Sequence, residues 1–357
     1  MTGLNSKYVI PVHPTTHDSI TSELQKRPAI LFCGHRSRFG LAHAGPVREA
    51  FDLKAVVVAD APRWRIFEER IGERAHSGPG LQVAIARARA AAQHWRCLNR
   101  LKRELGSARL IITHDANNRE WIAQLDRRYS GATILCAAFP QVFRSDFLNT
   151  FPRAINFHPS LLPRYRGAHP HYWVLARGET ESGITAHYID SRIDAGDILV
   201  QTPFPISAYN YETLYRKIVH EVPPLVHRVA AFLDDPHSRP IKQDDECATT
   251  FRNDRDVHHR ILWKTMTAVE IYNLIRTHTA TCDFRGNTIS IMEAHTSPIQ
   301  RAPGSIGPEP GTIVNATTNA ITVAAKDGCI EIDCLLDHRG RKISNKRRWP
   351  SVGETFG

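Results

Sequence analysis

The 357-residue chain has no uninterrupted apolar stretch approaching the length of a membrane span, which excludes a simple membrane-spanning helix. Its opening residues, MTGLNSKYVIPVHPTTHDSI, lack a basic region followed by an apolar one. No secretory leader is expected there, and the reading is a cytoplasmic protein. The seven cysteines (Cys33, Cys97, Cys136, Cys247, Cys282, Cys329 and Cys334) are scattered and form no C-x-x-C pair. That argues against a zinc site or a disulfide framework and for reduced thiols near cores. His258 and His259 have no companion at metal-ligand spacing, so no metal is expected. The turn CGHRSRFG holds Gly34 and Gly40 but not G-x-G-x-x-G, which argues against a nicotinamide dinucleotide. Internal repeats and low-complexity segments are also missing, so no solenoid is indicated.

What is present is the composition of a soluble globular protein, 42% hydrophobic and 23% charged, with length for two domains. The formal net charge is +10, which invites an anionic partner. Much of the excess lies in HRGRKISNKRR, which carries Arg339, Arg341, Lys342, Lys346, Arg347 and Arg348 and no acid. This run reads either as a solvated tail or as a contact for phosphate or nucleic acid.

Residues 1–27 are polar without a clear period and read as an N-terminal arm. The apolar run AILFCG, a helix-compatible stretch through GPVREAF and the run LKAVVVAD form a β-α-β opening. That opening predicts an α/β, Rossmann-like doubly wound sheet over 28–235. Within it, residues 81–105 read as helical, ARLIITHD as a strand and ANNREWIAQLDRR as a helix beginning near Asn117 or Asn118. The runs ATILCAAF and RAINFH read as strands, and GITAHYID and GDILVQTPFPI as strands around a loop. Residues 212–233 suit an amphipathic helix that Pro223 and Pro224 break or kink. A polar, proline-containing stretch begins the predicted linker, 236–260. Beyond it ILWKTMTAVEIYNLIRT suits a helix, and TISIMEA, GTIVNAT, AITVAAKDG and CIEIDCLL suit short strands. These predict a small OB-like β-barrel over 261–357.

The chemistry concentrates in AINFHPSLLPRYRGAHP. On a strand, Asn156 and His158 share a face. An amide donor beside an acid/base imidazole is what an oxyanion site for acyl transfer requires. The same pair could equally cap a strand end and satisfy loop backbone. Pro159, Pro163 and Pro170 stiffen the following loop, and Gly167 permits close approach. RIDAGDI then gathers Asp194 and Asp197 shortly after Asp190, and an aspartate reaching His158 would orient the imidazole and keep it protonated.

The stretch NFHPSLLPRYRGAHPHYWVLARGETESGITAHYIDSRIDAGDIL resembles the formyltransferases that use 10-formyltetrahydrofolate. It keeps that family's N-x-H, S-L-L-P-x-Y-R-G, G-x-T and D-x-G-D. The resemblance runs from AILFCG to about TPFPI. It implies a catalytic trio of Asn156, His158 and Asp194, with no metal and 10-formyltetrahydrofolate as donor. It also implies that CAAFPQVF frames the pterin through Gln141, Val142 and Phe143, with Asp190, Arg192 and their neighbours closing the other side. Ser160, Arg166, Gly167 and His169 are the expected acceptor-side residues. His187 reads as structural and Trp173 as core.

The C-terminal stretch resembles, less sharply, the OB-like domain of methionyl-tRNA and sugar-amine formyltransferases, which turns the reading away from purine synthesis. THDANNREWIAQL is similar to small-molecule amine formyltransferases, and RGAHPHYW departs from the RGAAPI form of the tRNA enzymes. The implied acceptor is a primary amine on a small metabolite, such as a nucleotide-linked amino sugar or a siderophore or peptide amine. Methionyl-tRNA is the alternative, favoured by the basic terminal run, and formyltetrahydrofolate hydrolysis is a second. A homodimer is compatible with this reading, and a membrane partner is not expected.

Overall fold

The computed structural model describes residues 26–34, 36–59, 96–251, 259–297, 307–337, 340–343 and 349–357. Most of the predicted arm, and Arg339, Lys346, Arg347 and Arg348 of the basic run, lie outside these residues. The chain divides into two compact units. One holds residues up to 166 with 183–203 and 217–249; the other holds 167–182, 204–216 and 250–357.

The first unit is built on a seven-stranded sheet of β1 (Pro28–Cys33), β2 (Asp52–Ala59), β3 (Arg109–Thr113), β4 (Thr133–Ala137), β5 (Ala154–His158), β7 (Glu181–Tyr188) and β8 (Ile198–Pro205). Its order is β3-β2-β1-β4-β5-β7-β8. The first five strands pair in parallel, and β5 pairs antiparallel with β7. These strands are apolar almost throughout because both faces of a parallel sheet are covered. Residues Ile30, Phe32, Ala55, Val57, Ile134, Cys136 and Ala154 alternate onto one face. There they pack with Ile122 and Leu125 of α3 (Arg119–Tyr129) and Phe147 of α4 (Ser145–Thr150). The short helices α1 (Arg38–Ala42) and α2 (Ala44–Ala50) follow β1, and α2 packs with α7 (Val222–Asp234).

Strand order reverses between β1 and β4, the place where doubly wound folds open a crevice at the strand C-termini. Gly34, just past β1, donates its N–H to the Ala137 carbonyl at 3.0 Å. A Cβ at Gly34 would stand 2.2 Å from the Ala138 carbonyl oxygen, so only glycine lets the two strand ends meet this closely.

Local signals place most boundaries. The Asn118 side chain accepts from Trp121 N–H and caps α3. Residues 96–104 are helical, while 81–95 lie outside the described residues. The break or kink expected within 212–233 separates two helices, α6 (Tyr211–His220) and α7, with Glu221 between them. Pro223 and Pro224 sit in the first turn of α7, where a missing N–H costs nothing.

The second unit contains α5 (Pro170–Ala176), α8 (Ala268–Arg276) and an antiparallel sheet. The sheet comprises β10 (Thr281–Phe284), β11 (Asn287–Ser297), β12 (Ile313–Ala316), β13 (Ile321–Ala324) and β14 (Cys329–Leu336), in the order β10-β11-β14-β13-β12. Its inward residues, among them Ile289, Ile291, Ile321, Val323, Ile330 and Ile332, pack against Ile271 and Ile275 of α8. The result is a curled, barrel-like layer. Helix α8 starts later than the periodicity suggests because Thr267 and Glu270 form a reciprocal capping box that sets the first turn. Two short strands, β6 (Arg166–Gly167) and β9 (Thr250–Phe251), pair with each other. Among the described residues no helix is long and apolar enough to cross a membrane.

Candidate active site

Register brings the site together. Asn156 of β5 lies opposite His187 of β7 and beside Cys136 of β4, so all three side chains share one face of the sheet. His158, two residues on, occupies the same face. The loop between β7 and β8 folds back to bring Asp194 onto this face, 3.3 Å from Asn156 Nδ2 and 3.5 Å from His158 Nδ1.

Asp194 reaches them from a left-handed backbone, φ +51°, which aspartate tolerates better than most side chains. The return needs glycine two residues later. A Cβ at Gly196 would lie 2.0 Å from the Tyr188 carbonyl oxygen.

Hydrogen-bond partners assign the protons. His187 Nδ1 lies 2.8 Å from the Tyr188 carbonyl, which only accepts, so Nδ1 is the donor there, while Nε2 faces Asn156 Nδ2 and, at 3.5 Å, Asp194 Oδ1. Asn156 Nδ2 can then donate to His187 Nε2 at 3.2 Å and to the Asp194 carboxylate at 3.3 Å. His158 Nε2 lies 2.8 Å from the Tyr165 carbonyl and donates to it. Tyr165 aims that carbonyl from a left-handed conformation, φ +62°. His158 Nδ1 is left facing Asp194 Oδ2 at 3.5 Å, beyond a normal hydrogen bond.

Burial pushes the His158 pKa below the ordinary histidine value. Asp194 and the Tyr165 carbonyl pull the other way and His187 adds to the lowering, but desolvation is the largest effect. The expectation that an aspartate keeps this ring protonated is therefore corrected: desolvation outweighs the carboxylate and favours the neutral imidazole at rest. Its two nitrogens face two acceptors while it holds one proton.

The loop after β5 is held by polar side chains as well as prolines. Thr185 Oγ1 donates to the Ser160 carbonyl at 2.6 Å and accepts from Leu162 N–H. Gln201 Nε2 donates to the Leu162 carbonyl and to Thr185 Oγ1. Ser160, expected on the acceptor side, is fully buried, and its hydroxyl donates to the Arg164 carbonyl at 3.0 Å. Arg166 is buried too; its guanidinium is taken up by Gln243 and Asp245. Neither side chain is open to an acceptor, which corrects both expectations. Gly167 (φ +95°) and His169 (φ +53°) fall in the second unit. Gly167 packs its backbone against the Phe251 carbonyl, whereas His169 is exposed at the start of α5.

The predicted pterin wall is partly structural. The Gln141 amide accepts from Ala116 N–H at 2.8 Å and donates to the His114 carbonyl at 2.9 Å. Asn117 answers from the other loop, donating to the Val142 carbonyl and accepting from Arg144 N–H. These two amides lock the loops after β3 and β4 together. Phe143 is core, stacked on Phe147 with centroids 4.1 Å apart. Val142 is the side chain left outward, 68% exposed. Across the site Asp190 accepts from Arg192 N–H, and Arg192 pairs with Asp245 at 2.8 Å, leaving Ile193 59% exposed.

Two residues central to this geometry escaped the sequence reading. His187 read as a structural strand histidine, and only the β5–β7 register puts it against Asn156. Gln243 lay inside the predicted linker, yet it is buried beneath Asp194. Trp173, read as core, stacks on Phe251 in the second unit, centroids 4.5 Å apart.

The chain can now be set beside known proteins. Its residues 78–229 match the Formyl transferase family model, and residues 256–350 match Formyl transferase, C-terminal domain. It is 34% identical over 198 residues to the methionyl-tRNA formyltransferase of Geobacillus sp. (strain WCH70), covering 54% of this chain and 60% of that protein. With the methionyl-tRNA formyltransferase of Syntrophus aciditrophicus (strain SB) it shares 31% over 214 residues, 58% of this chain and 67% of that one. The matches thus span 60% and 67% of the length of these two relatives. In fold it is similar to the N-formyltransferase from Helicobacter canadensis solved with folinic acid and dTDP-3-aminofucose. There the TM-score is 0.55 at 17% identity, covering 89% of this chain and 99% of that one. An N-x-H strand and a returning aspartate on an α/β sheet, followed by a curled antiparallel sheet, agree with what both models match: the chain belongs to the formyl transferase family.

Proposed function

We propose that the protein transfers the formyl group of 10-formyltetrahydrofolate to a primary amine, using Asn156, His158 and Asp194. The observation that carries this reading is their convergence on one face of β5, with Asn156 Nδ2 and His158 Nδ1 both within 3.5 Å of Asp194. The surroundings fit a folate. Val142 and Ile193 offer exposed apolar surface on the loops after β4 and β7.

In the reaction the free amine attacks the formyl carbon, and the formyl oxygen becomes an oxyanion. Asn156 donates to that oxygen, giving up one of its long resting hydrogen bonds. The proton on the attacking nitrogen moves to His158 Nδ1, where Asp194 meets the imidazolium. When the intermediate collapses, the carbon–nitrogen bond to the folate breaks. His158 returns the proton to that nitrogen. The ring begins and ends neutral, and proton and charge balance.

The acceptor we favour is an amine on a small metabolite. The segment after Gly167, AHPHYW, departs from the form that resembles the tRNA enzymes, and it carries His169 exposed at the start of α5. Methionyl-tRNA is the second reading, favoured by the sequence relatives and by the net charge of +10. A cytoplasmic site of action accompanies either reading. Incubating the protein and 10-formyltetrahydrofolate with a panel of amines and with charged initiator tRNA tests both. A one-formyl mass gain on a small amine supports the first, and gain only on the tRNA supports the second. Formate release without any acylated amine would replace both with hydrolysis.

A further inference from the structure

The segment that joins the two units in sequence carries a side chain whose full hydrogen-bonding capacity is spent beneath Asp194. Gln243 Nε2 donates to the Asp194 carbonyl at 2.9 Å and to the Gly196 carbonyl at 2.7 Å. Its Oε1 accepts from Arg166 Nε at 3.0 Å and Nη2 at 2.9 Å. An amide has four such positions, and all four are used. Arg166 is itself anchored. Its Nη2 also bonds Asp245 Oδ1 at 2.8 Å, and Asp245 Oδ2 takes Arg192 Nη1 at 2.8 Å. The Arg192 bond, then the Arg166 bond, hold the Asp245 carboxyl below its usual range.

Both carbonyls that Gln243 captures belong to the short turn that carries Asp194. A left-handed backbone at a residue other than glycine persists only where its surroundings over-determine it. Two hydrogen bonds from one buried amide, to the strained residue's own carbonyl and to that of Gly196, supply that determination. Arg166 sits one residue after Tyr165, whose carbonyl receives His158 Nε2–H. One connected set of bonds therefore fixes the backbone on both sides of the imidazole.

We infer that Gln243 is a positioning residue that sets the distance between the Asp194 carboxylate and His158, with Arg166 as its anchor. The inference rests on the proposed site for its catalytic consequence, but not for its structural one. The titratable groups that face His158 are Asp194, from the loop, and His187, from β7. Releasing the Asp194 turn withdraws a charge that favours the imidazolium, so with the ring still buried by its other neighbours the His158 titration midpoint falls.

The test uses the full chain and two variants, Gln243→Ala and Gln243→Met; the second keeps the buried volume and serves where the first does not fold. Histidine labelled at the ring carbon is titrated by NMR, with His158 assigned from its own variant. The expected result is a lower His158 midpoint than in the wild type, with the His187 signal shifted because Asn156 loses its carboxylate partner. Turnover is expected to fall on the order of 10²-fold, the usual consequence of a misplaced group in a reacting site, and the acid limb of the pH–rate profile to move down with the midpoint. A folded variant with an unchanged or higher midpoint overturns the inference. A lowered midpoint in a protein whose wild type formylates nothing leaves positioning intact and removes the proposed function instead.

Discussion

Replacing Asn156 by alanine isolates the proposed oxyanion donor. In the resting site the two Asn156 N–H groups make contacts of 3.2 and 3.3 Å, longer than the usual 2.9–3.0 Å of an N–H hydrogen bond. Redirecting one of them to a developing oxyanion therefore gives up little, and nearly the whole of a charge-assisted bond is gained. Loss of one such donor costs roughly 2.7–4 kcal/mol of transition-state stabilisation, a fall of about 10²–10³ in kcat. The ground state should register the change weakly. The formyl oxygen of the bound donor is a neutral carbonyl, and tetrahydrofolate has no formyl oxygen, so its affinity should change less than about threefold. Folding stability should drop by only about 1 kcal/mol, because Asn156 is half-buried and water can serve the stranded His187 nitrogen. The assay is single-turnover formyl transfer at saturating donor, read by mass, alongside tetrahydrofolate binding by fluorescence and thermal unfolding. A folded Asn156→Ala protein that retains turnover within tenfold of wild type would refute the oxyanion role. Asn156→Asp sharpens the test, since a second carboxylate against Asp194 forces the pair to share a proton and should be at least as damaging.

Three further outcomes are expected. His43 is buried, with its pKa lowered to about 4 by desolvation; Nδ1 donates to the Phe39 carbonyl, and Nε2 finds no partner. The unfolded state binds this proton near pH 6.5 and the folded state only near 4, so stability is fully present above pH 6.5 and is lost as pH falls toward 4. The shift amounts to about 3 kcal/mol; urea unfolding at pH 7 and pH 4.5 reads it, and a His43→Phe variant that keeps the whole acid-side loss would exclude His43 as its source. Gly196→Ala would put a methyl 2.0 Å from the Tyr188 carbonyl, so the Asp194 turn must shift and kcat fall by on the order of 10²-fold, with the fold retained by circular dichroism. Ser160→Ala should cost about 1 kcal/mol of stability while leaving the acceptor KM unchanged, because its hydroxyl serves the Arg164 carbonyl; a raised KM would return Ser160 to the acceptor side.

The strands of the first unit were legible because burial on both faces writes continuous apolar runs such as AILFC and ATILCAAF. Spacing alone put Asn156 and His158 on one face, and the D-x-G-D resemblance supplied Asp194. What could not be read depended on pairing between distant segments. His187 is one histidine in an apolar strand until the β5–β7 register sets it opposite Asn156. Gln243 sits among KQDDE, a composition that reads as solvent-facing, and only the fold shows that one of its polar side chains points inward. Arg166 and Gln141 failed in a related way. A sequence names a side chain's donors and acceptors but not whether backbone carbonyls have already claimed them. The protonation of His158 was misjudged because a carboxylate nearby is visible as a motif, whereas desolvation is a property of the packed surroundings.

The single proton of the His158 ring bears on which amines the site can use. Because burial weakens this imidazole as a base, in the proposed mechanism it is poorly matched to an alkylammonium ion and takes a proton more readily once the nitrogen has bonded to carbon and turned acidic. The nucleophile must therefore arrive already neutral. An amine resembling a lysine side chain, with a pKa of about 10.4, is almost wholly cationic at pH 7, whereas one nearer the α-amino value of about 8 is neutral far more often. Weakly basic amines, such as those flanked by electron-withdrawing oxygens, thus enter the reaction with a head start that owes nothing to the shape of the pocket. On the proposed mechanism, the site would screen its acceptors by basicity before it recognised them by form.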